Sequence, residues 1–304
     1  MITVLSGGVG AARLLRALSG SVDPSGISAV VNVGDDLVLH GLTICPDLDT
    51  IAYTLAGLNN EHLGWGLASE TWRVMDELTR LGGAAWFRLG DRDLATHLYR
   101  TQRLHEGATK SDVTRELCER WGVKIALLPV TNDPIATVFE TEVGTLGFQE
   151  YFVQHHHGVT VRDITVEGAA ESSPTSQVVE ALETSSRIVI APSNPLISID
   201  PILQVPGVAD ILRRRRDDVI AVSPIINGAA LKGPADRLLV ELGHEATCEG
   251  VARFYEGIVG TFIIDELDAH HATGIEARGI KVRVTTTIMA EPSNARRLAQ
   301  AVLA

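Results

Sequence analysis

The residues able to do chemistry in this chain cluster where short apolar runs end. Met1-Ile-Thr-Val-Leu5 leads directly into Ser6-Gly-Gly-Val-Gly-Ala-Ala-Arg13, and Leu14, Leu15, Ala17 and Leu18 follow at helical spacing. This reads as strand, glycine turn, helix. Such a turn brings bare N–H groups to a helix N-terminus, where partial positive charge favours a phosphate. Gly7, Gly8 and Gly10 are therefore candidate phosphate contacts, with Arg13 one turn further on. The next apolar run, Ile27 to Val33, ends in Gly34-Asp35-Asp36. Paired carboxylates suit a hard dication such as Mg²⁺, so Asp35 and Asp36 are the candidate metal ligands. Neighbouring side chains on an extended chain point apart, so one of the two is expected to bind directly. Asp47 and Asp49 precede the apolar set Ile51, Leu55 and Leu58; Asp49 suits a helix cap or a carboxylate aimed into a site as ligand or general base.

Further along, Arg88 interrupts the apolar segment 84–89, with Asp91 and Asp93 as available partners. Its planar fork also suits an anionic or aromatic ligand. Ser193 and Asn194 lie between Pro192 and Pro195, and Lys232 stands beside Gly233-Pro234 as a phosphate contact. Other motifs fall away. Arg13 occupies the third glycine position of a dinucleotide fingerprint, and no P-loop Gly-Lys-Ser/Thr is present. No Gly-x-Ser-x-Gly elbow supports a serine hydrolase. Arg213 to Arg216 is followed by Asp217 and Asp218 at a predicted helix end, a structural arrangement. His155-His-His157 and His270-His271 lack ligand spacing and read as solvated.

The elements that position these residues alternate. Strands are expected at 125–130, 159–166, 187–191, 219–222, 260–264 and 280–284, with a hairpin at 136–148. Helices lie between most of them, including 176–182, 208–215, 235–242, 247–256 and 294–303. Strand–helix alternation argues for an α/β fold: a Rossmann-like, mostly parallel sheet with helices on both faces. Residues 47–121 are too helical for strict alternation and read as a helical elaboration on the open end of the sheet, with apolar faces at Trp72, Met75, Leu78 and Leu81 and at Leu94 and Leu98. The whole chain, 1–304, is expected to form one domain. Six polar loops follow strands: Ser6-Gly-Gly, 32–36, 131–134, 192–195, 223–228 and Asp265-Glu266. In a parallel sheet these share one edge, where ligands bind.

A formal net charge of −12 disfavours nucleic acid or an anionic membrane as partner. Cys45, Cys118 and Cys248 are scattered and form no Cys-x-x-Cys pair, so neither a disulfide framework nor a zinc knuckle is supported. No signal-like opening or membrane-length apolar run is seen, and a cytoplasmic location is expected. A homodimer is the default oligomer.

Taken together, Ser6 to Arg13, Asn32 to Asp36, Cys45-Pro-Asp-Leu-Asp-Thr-Ile51, Trp86-Phe-Arg-Leu-Gly-Asp-Arg-Asp93 and Pro192-Ser-Asn-Pro195 resemble the 2-phospho-L-lactate transferase family of coenzyme F-420 biosynthesis. The resemblance runs over nearly the whole chain. It implies transfer of a phospholactyl or phosphoenolpyruvyl group from a guanosine diphospho-acid to the ribityl hydroxyl of the deazaflavin Fo. GMP is released and Mg²⁺ assists. It also implies Fo contacts at Asp49 and Arg88, with Asp49 as the catalytic group, and a nucleotide end near the glycine turn and Ser193-Asn194. On this reading Asp49→Asn should cut turnover with little loss of fold, and Trp86 is a candidate wall for the flat acceptor. The alternative is a related family with the same glycine opening, proposed to bind nucleotide sugars as regulators. A nicotinamide dehydrogenase is the third reading, opposed by the missing glycine.

Overall fold

The computed structural model describes residues 1–61 and 64–304. Seven strands form the central sheet: β1 (Ile2–Ser6), β2 (Ile27–Val31), β3 (Ala126–Pro129), β4 (Arg187–Ile190), β5 (Val219–Val222), β6 (Thr261–Ile264) and β7 (Lys281–Val284). All pairings are parallel, in the order β3-β2-β1-β4-β5-β6-β7. This is the doubly wound order of the Rossmann fold, with the direction of winding reversing between β1 and β4. Every residue of β2 and β5 is buried, which is why these segments read as unbroken apolar runs: both of their faces are covered. Helix α1 (Gly8–Ser19) follows β1, buries Ala11, Ala12, Leu14, Leu15 and Leu18, and packs against α2 (Pro46–Leu55) and the C-terminal helix Pro292–Leu303.

The predicted strand at 159–166 forms at Val161–Glu167, but not in the central sheet. It pairs with the hairpin Ala136–Thr141/Gly144–Gly147 in a separate three-stranded antiparallel sheet. That sheet fixes the loop after β2: Thr137 N donates to Gly34 O at 2.6 Å, and Gln149 Nε2 donates to Asp35 O at 3.2 Å.

Between β2 and β3 lie the hairpin Leu37–Leu39/Leu42–Ile44 and helices α2, α3 (Arg73–Arg80), α4 (Asp91–His105) and α5 (Lys110–Arg120). This elaboration has its own small core of Ile44, Met75, Leu89 and Leu94. Its helices bury only part of the faces their apolar spacing suggests: Met75 and Leu94 are buried and Leu78 packs against them. Leu81 and Leu98 are exposed, at 79% and 57%. Beside Leu94, what α4 buries is a polar stripe, Asp93, Thr96, His97, Arg100 and Thr101. Partners on neighbouring segments hold it there: Asp49 pairs with Arg100, Tyr53 donates to Asp93, and Thr43 N donates to Thr101 Oγ1. No single helix among the described residues is long and apolar enough to cross a membrane.

Candidate active site

A cavity of about 790 Å³ opens over the carboxyl edge of the sheet, at the β1/β4 switch point. Four of the six polar loops reach it: the glycine turn, the loop carrying Asp35, Pro192-Ser193-Asn194, and the segment from Ser223. Two do not. In the 131–134 loop, Asn132 Oδ1 caps Ser111 N at 2.9 Å and Asp133 Oδ2 accepts from Ser173 N at 2.9 Å, so both side chains brace neighbouring segments. Asp265 is buried under the segment after β7, and Glu266 points away.

The glycines of the turn serve close approach. Gly8 is left-handed, at φ +68°. A Cβ on Gly7 would lie 2.8 Å from Asp47 Oδ2, and one on Gly10 would lie 2.3 Å from the carbonyl oxygen of Pro192. Only glycine lets α2 and the β4 loop press this close. The N–H of Gly8 is engaged by the protein itself, donating to Asp47 Oδ1 at 2.6 Å. Asn32 Nδ2 holds the other oxygen of Asp47 at 3.0 Å. A carboxylate therefore sits at the helix N-terminus where the sequence predicts a phosphate. Gly7, Gly8 and Gly10 still line the cavity.

Helix α2 begins at Pro46, which suits the first helical position. Asp47 and Asp49 lie within its first turn, so Asp49 is not the cap; Cys45 occupies that place. Two residues apart on a helix, their side chains diverge by about 200°. Asp47 faces the glycine turn and Asp49 faces α4. There Arg100, 3% exposed, grips Asp49 through both oxygens, Nη1 to Oδ2 at 3.1 Å and Nη2 to Oδ1. Arg100 Nη1 also lies 3.1 Å from His97 Nδ1. A guanidinium can only donate, so His97 accepts there and carries its proton on Nε2. Nε2 is 3.4 Å from Asp93 Oδ1, too poorly aligned for a full hydrogen bond, and Tyr53 Oη donates to that same oxygen at 2.6 Å. Asp49, Tyr53, Asp93 and His97 all contribute to the cavity wall.

Asp35 and Asp36 do point apart. Asp35 is buried at the cavity wall, and its Oδ1 has no hydrogen-bond partner. Burial, then the nearby charges of Asp47 and Asp36, hold its carboxyl well above the usual range. Burial likewise pushes Asp47 up to about 6, against the pull of Asn32 and Gly8. Asp36 turns away from the cavity to Lys110, at 2.5 Å. The acidic pair facing the cavity is thus Asp35 with Asp47, and the structure directs Asp36 to an internal ion pair instead.

Arg88 lies at the wall, largely exposed, beside Trp86 and Phe87. Its partner is Asp76 at 3.1 Å, with its guanidinium 5.1 Å from the Trp72 ring centre. Neither expected partner is available: Asp91 caps α3 through Arg73 N and Val74 N, and Asp93 belongs to the Tyr53–His97 network. Arg13 and Lys232 line the cavity and form no ion pair or hydrogen bond among the described residues. Ser193 donates to Gly7 O at 2.8 Å, tying the β4 loop to the glycine turn. Asn194 Oδ1 accepts from Leu196 N at 3.0 Å, while its Nδ2 is an unfilled donor.

Of the His155–His157 run, His156 lines the cavity and is exposed there; the other motifs lie elsewhere. Arg213, Arg214 and Arg215 pair with Asp210, Glu183 and Asp218. His271 is half-buried against Glu249 rather than solvated, within 4.8 Å of ligand atoms on Cys248 and Asp268. Asp268 already binds Asn227 N through both oxygens. Residues that sequence reading missed include Arg100, His97, Thr287 and Met289. The first two were findable: Asp93, His97 and Arg100 are spaced four and three apart, one face of a helix. Thr287 and Met289 follow an edge strand with no motif to mark them.

The sheet order and this cavity define a class: a Rossmann-type α/β protein whose switch-point cavity combines cations that have no partner among the described residues with clustered carboxylates. The model of the family described as 2-phospho-L-lactate transferase CofD matches residues 2–296. The chain is 41% identical over 310 residues to a phosphoenolpyruvate transferase of Kitasatospora aureofaciens, covering 100% of this chain and 97% of that protein. It is 41% identical over 296 residues to a protein of the same name from Streptomyces griseus, covering 95% and 93%. A crystal structure of a UPF0052 family member from Bacillus halodurans superposes with a TM-score of 0.68 at 17% identity, covering 100% of this chain and 98% of that one, a likeness of fold. The chain belongs to the 2-phospho-L-lactate transferase CofD family, and it is an enzyme of the transferase class.

Proposed function

We propose that this protein transfers a phospho-acid, of the phosphoenolpyruvyl or phospholactyl kind, from a guanosine diphospho-acid to the terminal ribityl hydroxyl of Fo, releasing GMP. The observation that carries this reading is the meeting, in one cavity, of an unsatisfied buried carboxylate oxygen on Asp35 with Arg13 and Lys232, cations without an ion-pair partner among the described residues. Phosphates need the cations; a dication between phosphate and protein needs the carboxylates. The phosphoenolpyruvate transferase name of the relatives favours the enolpyruvyl donor.

Asp35 and Asp47 fit Mg²⁺, being hard oxygen donors clustered around an orphaned lone pair. Held by Asp35 and Asp47, the ion would supply positive charge to offset that of the donor and leaving phosphates. The chain's own residues do the rest by position and charge, the main resources of phosphoryl transfer. Arg13, Lys232 and the free amide of Asn194 hold the diphosphate across the glycine turn. Trp86, Phe87 and Arg88 receive the flat deazaflavin. Asp49 accepts a hydrogen bond from the ribityl hydroxyl and lines its oxygen up with the distal phosphorus. That oxygen bonds to phosphorus as the bridging P–O bond to GMP breaks, and the hydroxyl proton passes to Asp49 and from it to water. Arg100 holds both oxygens of Asp49 and so fixes the direction in which it orients the nucleophile.

A fluorescence titration tests the acceptor. Fo should bind the purified protein with a change in emission, and Arg88→Ala should weaken it by roughly tenfold, the scale of one lost charge-assisted contact. Unchanged emission at saturating protein would instead favour a nucleotide-sugar binder.

A further inference from the structure

The cavity has two wings. One lies under the helical elaboration, walled by Trp86, Phe87, Arg88 and Asp49. The other runs along the sheet edge past β4, through Ser193 and Ser223, to Thr287 and Met289 after β7. If the first wing takes the acceptor and the diphosphate crosses the switch point, the nucleoside extends along the second. From β1 to β6 is three strand spacings, roughly 14 Å, a distance a nucleoside can cover from a diphosphate held by Arg13 and Asn194 beside the switch point.

What this wing offers is fixed by Asp265. Its Oδ1 accepts from Leu267 N at 3.1 Å; its Oδ2 accepts from Thr287 N at 2.7 Å and from Thr287 Oγ1 at 3.0 Å. Asp265 is 3% exposed and Thr287 3% exposed. The hydroxyl proton of Thr287 is therefore spent inside the protein, and Oγ1 has only lone pairs to give a ligand. Ser223, the other hydroxyl on this wing, donates to Ile225 O at 2.8 Å and accepts from Ile225 N at 3.2 Å, so it is engaged as well. Met289 adds a soft apolar surface suited to an aromatic face.

We propose that Thr287 reads the nucleobase of the donor as a hydrogen-bond acceptor, with Asp265 as the positioning residue that denies it the donor role. A site of this polarity selects a purine whose ring edge carries N–H, as guanine does, over adenine, whose ring nitrogen at that place presents a lone pair. Two acceptors facing each other in a buried wing leave both unsatisfied, and such a mismatch discriminates more strongly than a lost apolar contact. This inference rests on the nucleotide reading above.

The test is equilibrium binding of GDP, 2′-deoxy-GDP and ADP to the full chain with Mg²⁺, with thermal melting as a check on folding. Wild type should prefer GDP to ADP by at least about tenfold. Thr287→Val should lose roughly that factor for GDP and for 2′-deoxy-GDP while leaving ADP within about twofold; Thr287→Ser should keep the preference. Asp265→Ala, which removes the acceptor and frees the hydroxyl to donate, should narrow the GDP to ADP ratio. An unchanged ratio in Thr287→Val, an equal loss for GDP and ADP, or a loss confined to GDP and absent for 2′-deoxy-GDP would overturn the assignment while leaving the transferase reading in place. Failure of every guanine nucleotide to bind wild type would overturn both.

Discussion

Asp35→Asn is expected to cut turnover at least ~100-fold while making the Mg²⁺-free protein more resistant to heat. The two effects share one cause. Asp35 is buried with an orphaned oxygen, and Asp47 and Asp36 lie near enough to raise its proton affinity further. Three carboxylates share one buried region, with Lys110 matched to Asp36 alone. Without a cation, each added negative charge here opposes folding. The amide removes one charge at almost constant shape, so the metal-free variant should melt higher, by about 2 °C or more for a domain of this size. The same change removes a hard ligand. Wild type should gain stability as Mg²⁺ is added, because an ion that binds only the folded state stabilises it. Calorimetry with Mg²⁺ and with chelator reads both. An Mg²⁺-induced rise of equal size in the variant would remove Asp35 from the ion site.

Arg100→Met should be the most destabilising single change in the helical elaboration, at about 3–5 kcal/mol. Arg100 is buried, bridges both oxygens of Asp49 and lies against His97; removing it strands a carboxylate in the interior. The structure thereby revises one expectation from the sequence. Asp49→Asn should not be mild, since it leaves a buried guanidinium facing a neutral amide. The double variant Arg100→Met with Asp49→Asn should regain most of the stability lost by Arg100→Met, because no charge is then stranded, yet stay inactive for want of the Asp49 carboxylate. Denaturant unfolding of the three variants separates these outcomes. Additive losses in the double variant would contradict the ion pair, and restored turnover would contradict the role of Asp49.

The fold was legible because its signals are local. The unbroken apolar runs of β2 and β5 could only be strands covered on both sides, and the glycine turn after β1 announced a strand–helix crossover. The position of the site followed from the same logic, since parallel strands put their ends on one edge. The details depended on facing partners that no single segment reveals. Asp36 reads as a ligand until α5 brings Lys110 to it. The glycine turn reads as a phosphate seat until α2 lays Asp47 on Gly8 N. Arg88 finds Asp76 rather than the nearer acids because Asp91 and Asp93 are committed elsewhere. On α4 Leu94 is buried as its spacing suggests but Leu98 is not, because that helix buries hydrogen-bonded polar groups as well, a choice that apolar periodicity cannot register.

The central claim is that one cavity aligns an alcohol with a guanylated diphospho-acid. It is tested most directly by incubating the purified protein with Fo, Mg²⁺ and each guanylated donor, then reading product masses and GMP together. The account predicts GMP and phospho-acid-modified Fo in equal amounts, lost together in Asp35→Asn. GMP release without modified Fo, or product formed undiminished by that variant, would contradict it.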